Sequence, residues 1–276
     1  MVIISQIELN KVYNTDCLEG MKLIDDKSID MILADLPYGT TACSWDSIIP
    51  LEPLWEQYKR VIKDNGAIVL TASQPFTSVL VTSNLEWFKY EWIWKKSRPT
   101  GFAQAKNQPL REHENILIFS NGTAIHACQS DRRMTYNPQG IKETNKIKRQ
   151  GKNGRTDTCF SKRKSHKDIH IQTETNYPRS VLNVRSEGNT VHPTQKPIEL
   201  FGYLIKTYTN ENEIVLDNTI GSGTTALACL KTDRNFIGFE KEEKYYNIAL
   251  KRIGKFNKKY YEQLPEKEKP AKLQLF

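Results

Sequence analysis

Asp35-Leu36-Pro37-Tyr38 closes an apolar run from Ile29 to Ala34, and together these residue types could manage an amino group on a flat ring. Such a nitrogen is a poor nucleophile because its lone pair is delocalised into the ring. A protein can make it attack by fixing its hydrogens so that the lone pair turns toward the electrophile. Asp35 can accept one amino hydrogen on its carboxylate, and the main-chain carbonyl of Leu36 can accept the other. Pro37 fixes the turn and biases Leu36 toward an extended conformation, while Tyr38 offers a flat face for stacking. Read in isolation, the four residues also fit an ordinary strand-end turn.

A second constellation follows the apolar segment at Ile214 to Leu216: Asp217-Asn218-Thr219-Ile220-Gly221-Ser222-Gly223-Thr224-Thr225. Gly221 and Gly223 let backbone amides approach a ligand where a Cβ would collide. Glu240, 19 residues past Gly221 at the end of the next apolar segment, is placed to accept hydrogen bonds from both hydroxyls of a ribose. The third glycine of a dinucleotide fingerprint is replaced by Ala226, and no Gly-Lys-Ser/Thr follows to make a phosphate-binding P-loop. Asp16, after the short apolar stretch at Val12, reads as a helix N-cap.

Both constellations require strands that end at one edge of a sheet. Ile29 to Ala34 reads as a strand buried on both faces. Leu51 to Ile62 has helical periodicity, Asn65-Gly66 is expected to end that helix, and Ala67 to Leu70 is the next strand. Tyr90 to Trp94 alternates with a β period, and Asn115 to Phe119 supplies a further strand after an irregular connection through Arg98-Pro99-Thr100-Gly101. Pro197 opens a helix through Ile205. Strand Glu213 to Leu216, helix Thr224 to Leu230, strand Phe236 to Phe239 and helix Glu242 to Ile253 complete the alternation. The fold expected is α/β, a doubly wound, mostly parallel sheet. Trp87, Trp92 and Trp94 are expected to pack in that sheet rather than stack on a ligand.

The order of the two motifs, chemistry before cofactor with a basic stretch between, resembles the permuted β-class of amino-methylating DNA methyltransferases. The likeness covers most of residues 11 to 253 apart from the basic stretch. In that family the first motif is Asp-Pro-Pro-Tyr, and Leu36 replaces the first Pro. The second is Asp-Pro-Phe-x-Gly-Ser-Gly-Thr-Thr, where this chain has Asn218 and Thr219 for Pro and Phe. Thr194-Gln195-Lys196-Pro197 matches the Thr-Gln-Lys-Pro element that helps form the methionine end of the cofactor pocket. The resemblance implies a Rossmann-like methyltransferase fold and S-adenosyl-L-methionine as cofactor. Asp16, Thr194, Gln195, Lys196, Asp217, Asn218, Gly221, Ser222, Gly223, Thr224 and Glu240 would hold the cofactor, and Asp35, Leu36, Pro37 and Tyr38 would act on a flipped-out base. Asp rather than Ser before Leu-Pro-Tyr favours adenine N6 over cytosine N4, with the cytosine enzyme and a non-catalytic nucleic-acid-binding relic as the alternatives. Cytosine C5 chemistry needs a cysteine after proline, and none of Cys17, Cys43, Cys128, Cys159 and Cys229 follows one. Methylation of protein glutamine would carry Asn-Pro-Pro-Tyr and the opposite motif order.

The net charge of +8 is concentrated. Between Asn121 and Thr190 there are 14 Lys/Arg against 6 Asp/Glu, equal to the whole surplus. Such a field suits a phosphate backbone, and equally a solvated basic loop. The organisation expected is a catalytic half at 1–120, a basic target-recognition insertion at 121–190, a cofactor half at 191–256 and a charged tail at 257–276. Scattered cysteines and a single helical histidine pair, His166 and His170, indicate no metal site, and Cys43 reads as a small apolar filler. No membrane span or signal segment is visible, so the expectation is a soluble, cytoplasmic protein that meets double-stranded DNA. A homodimer and a companion restriction endonuclease are further partners that the resemblance admits.

Overall fold

The computed structural model describes residues 3–4, 6–39, 46–125, 132–149, 169–188 and 195–257. Thr194, Cys43, His166 and the tail from 258 onward lie outside the described residues. The chain divides into two compact units, one formed by Met1–Asn137 with Ser180–Phe276 and the other by Pro138–Arg179.

In the larger unit a short hairpin, β1 (Ile3–Ile4) and β2 (Ile7–Glu8), precedes β3 (Lys11–Asn14), α1 (Cys17–Met21), β4 (Ile29–Ala34), α2 (Leu51–Val61), β5 (Ile62–Ala72) and α3 (Phe76–Ser83). Two long strands follow, β6 (Phe88–Thr100) and β7 (Arg111–Phe119). The smaller unit is a two-stranded antiparallel ribbon of β8 (Lys142–Arg149) and β9 (Ile169–Thr175). The chain then returns to the larger unit with β10 (Val181–Asn183), α4 (Ile198–Tyr208), β11 (Ile214–Asp217), α5 (Thr224–Lys231), β12 (Asn235–Glu240) and α6 (Glu243–Phe256). Eight strands form one sheet in the order β10-β6-β7-β5-β4-β11-β12-β3. All neighbours are parallel except β7, which is antiparallel to β5 and β6.

Alternation of side chains across a strand explains the layers. On β4, Met31 and Leu33 join a core cluster with Leu204 of α4, Ala226 of α5 and Ile253 of α6. Ile32 and Ala34 point the other way, into a cluster with Met21 of α1, Tyr58 of α2 and Phe76 of α3. Helices therefore cover both faces, and all six residues of β4 are buried, which is why that stretch reads as an apolar run rather than an alternation. Burying each such Ile or Leu contributes about 1.5–3 kcal/mol relative to exposure. Asp30, the one charge in the run, is held by Lys63 at 2.6 Å and accepts from the Ile214 amide at 3.0 Å. Trp87, Trp92 and Trp94 are buried, and the indole N–H of Trp92 donates to Tyr208 Oη at 2.6 Å.

Two expectations need correction. Strand β5 starts at Ile62, directly from α2, so Asn65-Gly66 lies inside a strand rather than ending a helix. The register jumps between Ile29↔Ile62 and Met31↔Ala67, and this bulge brings Gly66 against β4, where an added Cβ would meet the Asp30 carbonyl oxygen at 2.7 Å. Arg98-Pro99-Thr100 continues β6 instead of forming an irregular connection. Val181–Asn183, within the basic stretch, pairs in parallel with Ile93–Lys95 at the sheet edge. Among the described residues, no helix is long and apolar enough to cross a membrane.

Candidate active site

Four adjacent parallel strands, β4, β11, β12 and β3, release their carboxyl ends at one sheet edge. Asp35 follows β4, Asp217 ends β11, Glu240 ends β12 and Asp16 follows β3, so strand order alone lines up four acidic residues, as open α/β sheets do at their ligand edge. They border one cavity of about 350 Å³, together with Tyr38 and Gly221. The two motifs, far apart in sequence, thus share a cleft. Its size lies within the range of small-molecule sites, roughly 300–1,000 Å³.

At the cofactor-type loop, the backbone is left-handed at Gly221 (φ +52°) and Gly223 (φ +84°), a conformation that costs a residue with a Cβ about 1–2 kcal/mol. Gly223 caps α5, and a Cβ there would crowd Ala249 of α6 at 3.2 Å. Asp217 braces the loop: one carboxylate oxygen accepts from the Thr219 amide at 3.0 Å and the other from the Thr225 hydroxyl. Burial pushes its carboxyl up to about 7, with the nearby Asp35 and Glu240 adding to the rise. Glu240 accepts from the amides of Gly221 at 2.9 Å and Glu242 at 2.8 Å. A carboxylate has about four lone-pair sites, so acceptor capacity remains beside the cavity for vicinal hydroxyls. Arg252 of α6 donates to the Ser222 carbonyl at 2.7 Å and fixes the loop from behind. Asn218 accepts from Tyr58 of α2 at 2.6 Å. Asp16 N-caps α1 through the Leu18 amide at 3.0 Å while also bordering the cavity, so its two readings are compatible. A glycine-built cradle, a hydroxyl-accepting carboxylate and a cavity of this volume fit a nucleoside sulfonium.

At the other end, Leu36 is buried and Pro37 and Tyr38 are half-buried. Tyr38 stacks on Phe76 with ring centroids 5.4 Å apart. Asp35 is unusually well furnished with donors: one oxygen accepts from Tyr38 Oη at 2.7 Å and from the Thr71 hydroxyl, and the other from Lys196 Nζ at 2.6 Å. The Thr219 hydroxyl donates to the Asp35 carbonyl at 3.2 Å, tying the two motifs together. Lys196 is only 5% exposed. Burial alone would lower its ammonium, but Asp35 and Glu114 outweigh that and hold it above its ordinary value. Burial, followed by the charges of Asp35 and Glu114, pushes the Tyr38 phenol well up. Gln195 also borders the cavity and donates to Glu187, whose other oxygen receives the Ile198 amide at 3.1 Å at the start of α4.

A family model for DNA methylases of the N6/N4 type matches residues 29–251, from the first residue of β4 into α6. The chain belongs to this DNA methylase family. It is 27% identical over 279 residues to the type II methyltransferase M.HinfI of Haemophilus influenzae, covering 89% of this chain and 68% of that protein. It is 26% identical to the type II methyltransferase M1.MboII of Moraxella bovis, covering 88% and 96%. Among solved structures, the complex of M1.HpyAVI with SAM matches with a TM-score of 0.58 and 26% identity, over 88% of this chain and 98% of that one. The cytosine-N4-specific PvuII DNA methyltransferase shares the fold, with a TM-score of 0.61 at 14% identity over 91% and 92% of the two chains.

In this DNA methylase, the sequence-predicted residues that are described border the cleft, except Gly223, and Lys196 does so while donating to Asp35. Sequence reasoning missed Thr71, Phe76, Glu114 and Asp46, the last accepting from the Gly39 amide at 2.9 Å. None carries a local motif. Thr71 and Glu114 reach the site through the antiparallel pairing of β5 with β7, which sets Thr71 opposite Ile116.

Proposed function

We propose that the chain is a site-specific DNA adenine-N6 methyltransferase using S-adenosyl-L-methionine. The single observation that carries the reading is Asp35: an aspartate whose carboxylate collects strong donors faces the same cavity as the glycine cradle. When bound, the cofactor supplies an electrophilic methyl group on a sulfonium. Gly221, Ser222, Gly223 and Thr224 cradle it, Asp16 and Glu240 take its nucleoside end, Asp217 and Asn218 hold the loop, and Thr194, Gln195 and Lys196 close the methionine end. Asp35 and the Leu36 carbonyl accept the two hydrogens of the target amine, and Tyr38 stacks on the extruded ring. With its hydrogens held by Asp35 and the Leu36 carbonyl, the amine nitrogen would direct its lone pair at the methyl group that the cofactor would supply, giving up one proton as the N–C bond replaces the bond to sulfur. An ionised Asp suits adenine because it accepts more strongly than the serine of the alternative motif.

The basic stretch, 121–190, serves as target-recognition region, its Lys and Arg on phosphates and its polar side chains on base edges. Lys142 and Lys146 on β8 are exposed, as a phosphate contact requires. Residues 1–120 and 191–256 act as the catalytic and cofactor halves of one domain. A homodimer and a companion endonuclease belong to the same reading by analogy.

Transfer of tritiated methyl groups to plasmid DNA, followed by digestion to nucleosides, tests the proposal. Label is expected in N6-methyl-2′-deoxyadenosine. Label in N4-methyl-2′-deoxycytidine overturns the base assignment, and absence of transfer with intact cofactor binding overturns the enzyme.

A further inference from the structure

Asp35 has a task that its present partners obstruct. To accept an amino hydrogen strongly it needs an oxygen not already drawn to a cation, yet Tyr38 and Thr71 fill both lone pairs of one oxygen and the Lys196 ammonium takes one of the two on the other. Tyr38 can leave without electrostatic cost, since it is a neutral phenol. Lys196 cannot: an ammonium this deeply buried must keep a carboxylate partner or lose its charge. The structure holds such a partner ready. Glu114 of β7 lies with Oε2 3.3 Å from Lys196 Nζ, and that oxygen is buried with no hydrogen-bond partner among the described residues. Its other oxygen is anchored by Lys96 at 3.4 Å, so the acceptor is fixed in place.

We infer that Glu114 is a positioning residue for the transfer: as the target amine arrives, Lys196 moves from Asp35 onto Glu114 Oε2, and the vacated Asp35 oxygen takes the amino hydrogen. This rests on the reading of Asp35 as the amine-holding group. Alternating charges along Asp35, Lys196, Glu114 and Lys96 allow the exchange without any net charge entering or leaving the site. A neutral side chain at position 114 would leave the ammonium bound to Asp35, in competition with the substrate.

The test is single-turnover methyl transfer to unmethylated genomic DNA, with cofactor affinity measured by calorimetry on the same preparations. Glu114→Gln is expected to slow the transfer step at least tenfold while the cofactor Kd stays within about threefold. Glu114→Asp, which keeps the charge, is expected to retain most of the rate, and Glu114→Met, which like Gln removes the charge, stands in for Gln should that variant fail to fold. Because Glu114 acts through Lys196, the double variant Glu114→Gln with Lys196→Met should be no slower than Lys196→Met alone. A wild-type rate in Glu114→Gln, equal losses in the Gln and Asp variants, or multiplied losses in the double variant would overturn the inference. Wild-type protein that binds cofactor but transfers nothing would instead remove the role of Asp35 itself.

Discussion

Two carboxylates in the cleft are set apart by their partners. Asp35 accepts from the Lys196 ammonium and from two hydroxyls, whereas Asp217 accepts from a hydroxyl and an amide and is raised by burial to about 7. Asp35→Asn is expected to reduce methyl transfer at least hundredfold, in the range of roughly 10²–10³ found when one preorganised polar contact is removed, with the cofactor Kd unchanged in calorimetry. For Asp217 the consequence concerns stability. Its folded value lies above the ordinary carboxyl value of 3.8, so the folded protein binds this proton more tightly than the unfolded chain. The stability that this contributes is complete at low pH and declines as pH rises from about 4 through about 7, by a total on the order of a few kcal/mol. Thermal unfolding of the ligand-free protein should therefore show wild type losing more Tm than Asp217→Asn between pH 5 and pH 8, and equal slopes would refute the assignment. Asp35, Asp217 and Glu240 were legible in the sequence because each ends an apolar strand inside a local motif. Thr71 and Glu114 were not, since only strand pairing across tens of residues brings them to Asp35.

At the level of elements, α5 begins where the glycine loop ends and packs against α6. Gly223→Ala adds a Cβ at a left-handed residue and presses it on Ala249. The two effects together should cost about 2–3 kcal/mol, measurable as a lower midpoint in urea unfolding. The parallel strands were readable because burial on both faces leaves them continuously apolar. Strand β5 was misplaced at its start: Lys63-Asp64-Asn65-Gly66 has turn composition, yet Lys63 is drawn to buried Asp30 and Gly66 packs on the neighbouring strand, so tertiary contacts override local preference. Helix α3 left no sequence signal because Phe76-Thr-Ser-Val-Leu-Val-Thr-Ser is rich in β-branched residues.

For the whole molecule, the charge surplus predicts how DNA should be held. Replacing Lys142 and Lys146 by Gln is expected to weaken binding regardless of sequence and to lower the slope of log affinity against log salt by about 2, with the cofactor Kd unaltered. An unchanged slope would place the phosphate contacts elsewhere. The order of the strands carries one more consequence, for synthesis. Of the eight strands in the large sheet β3 is translated first, but its sheet neighbour is β12, and β4 waits for β11 across Val215↔Met31. Until the last quarter of the chain leaves the ribosome, an apolar strand stands with one edge unpaired, the kind of exposed template that recruits other chains. A nascent chain stopped before Ile214 should therefore aggregate or bind chaperones, while the finished protein does not.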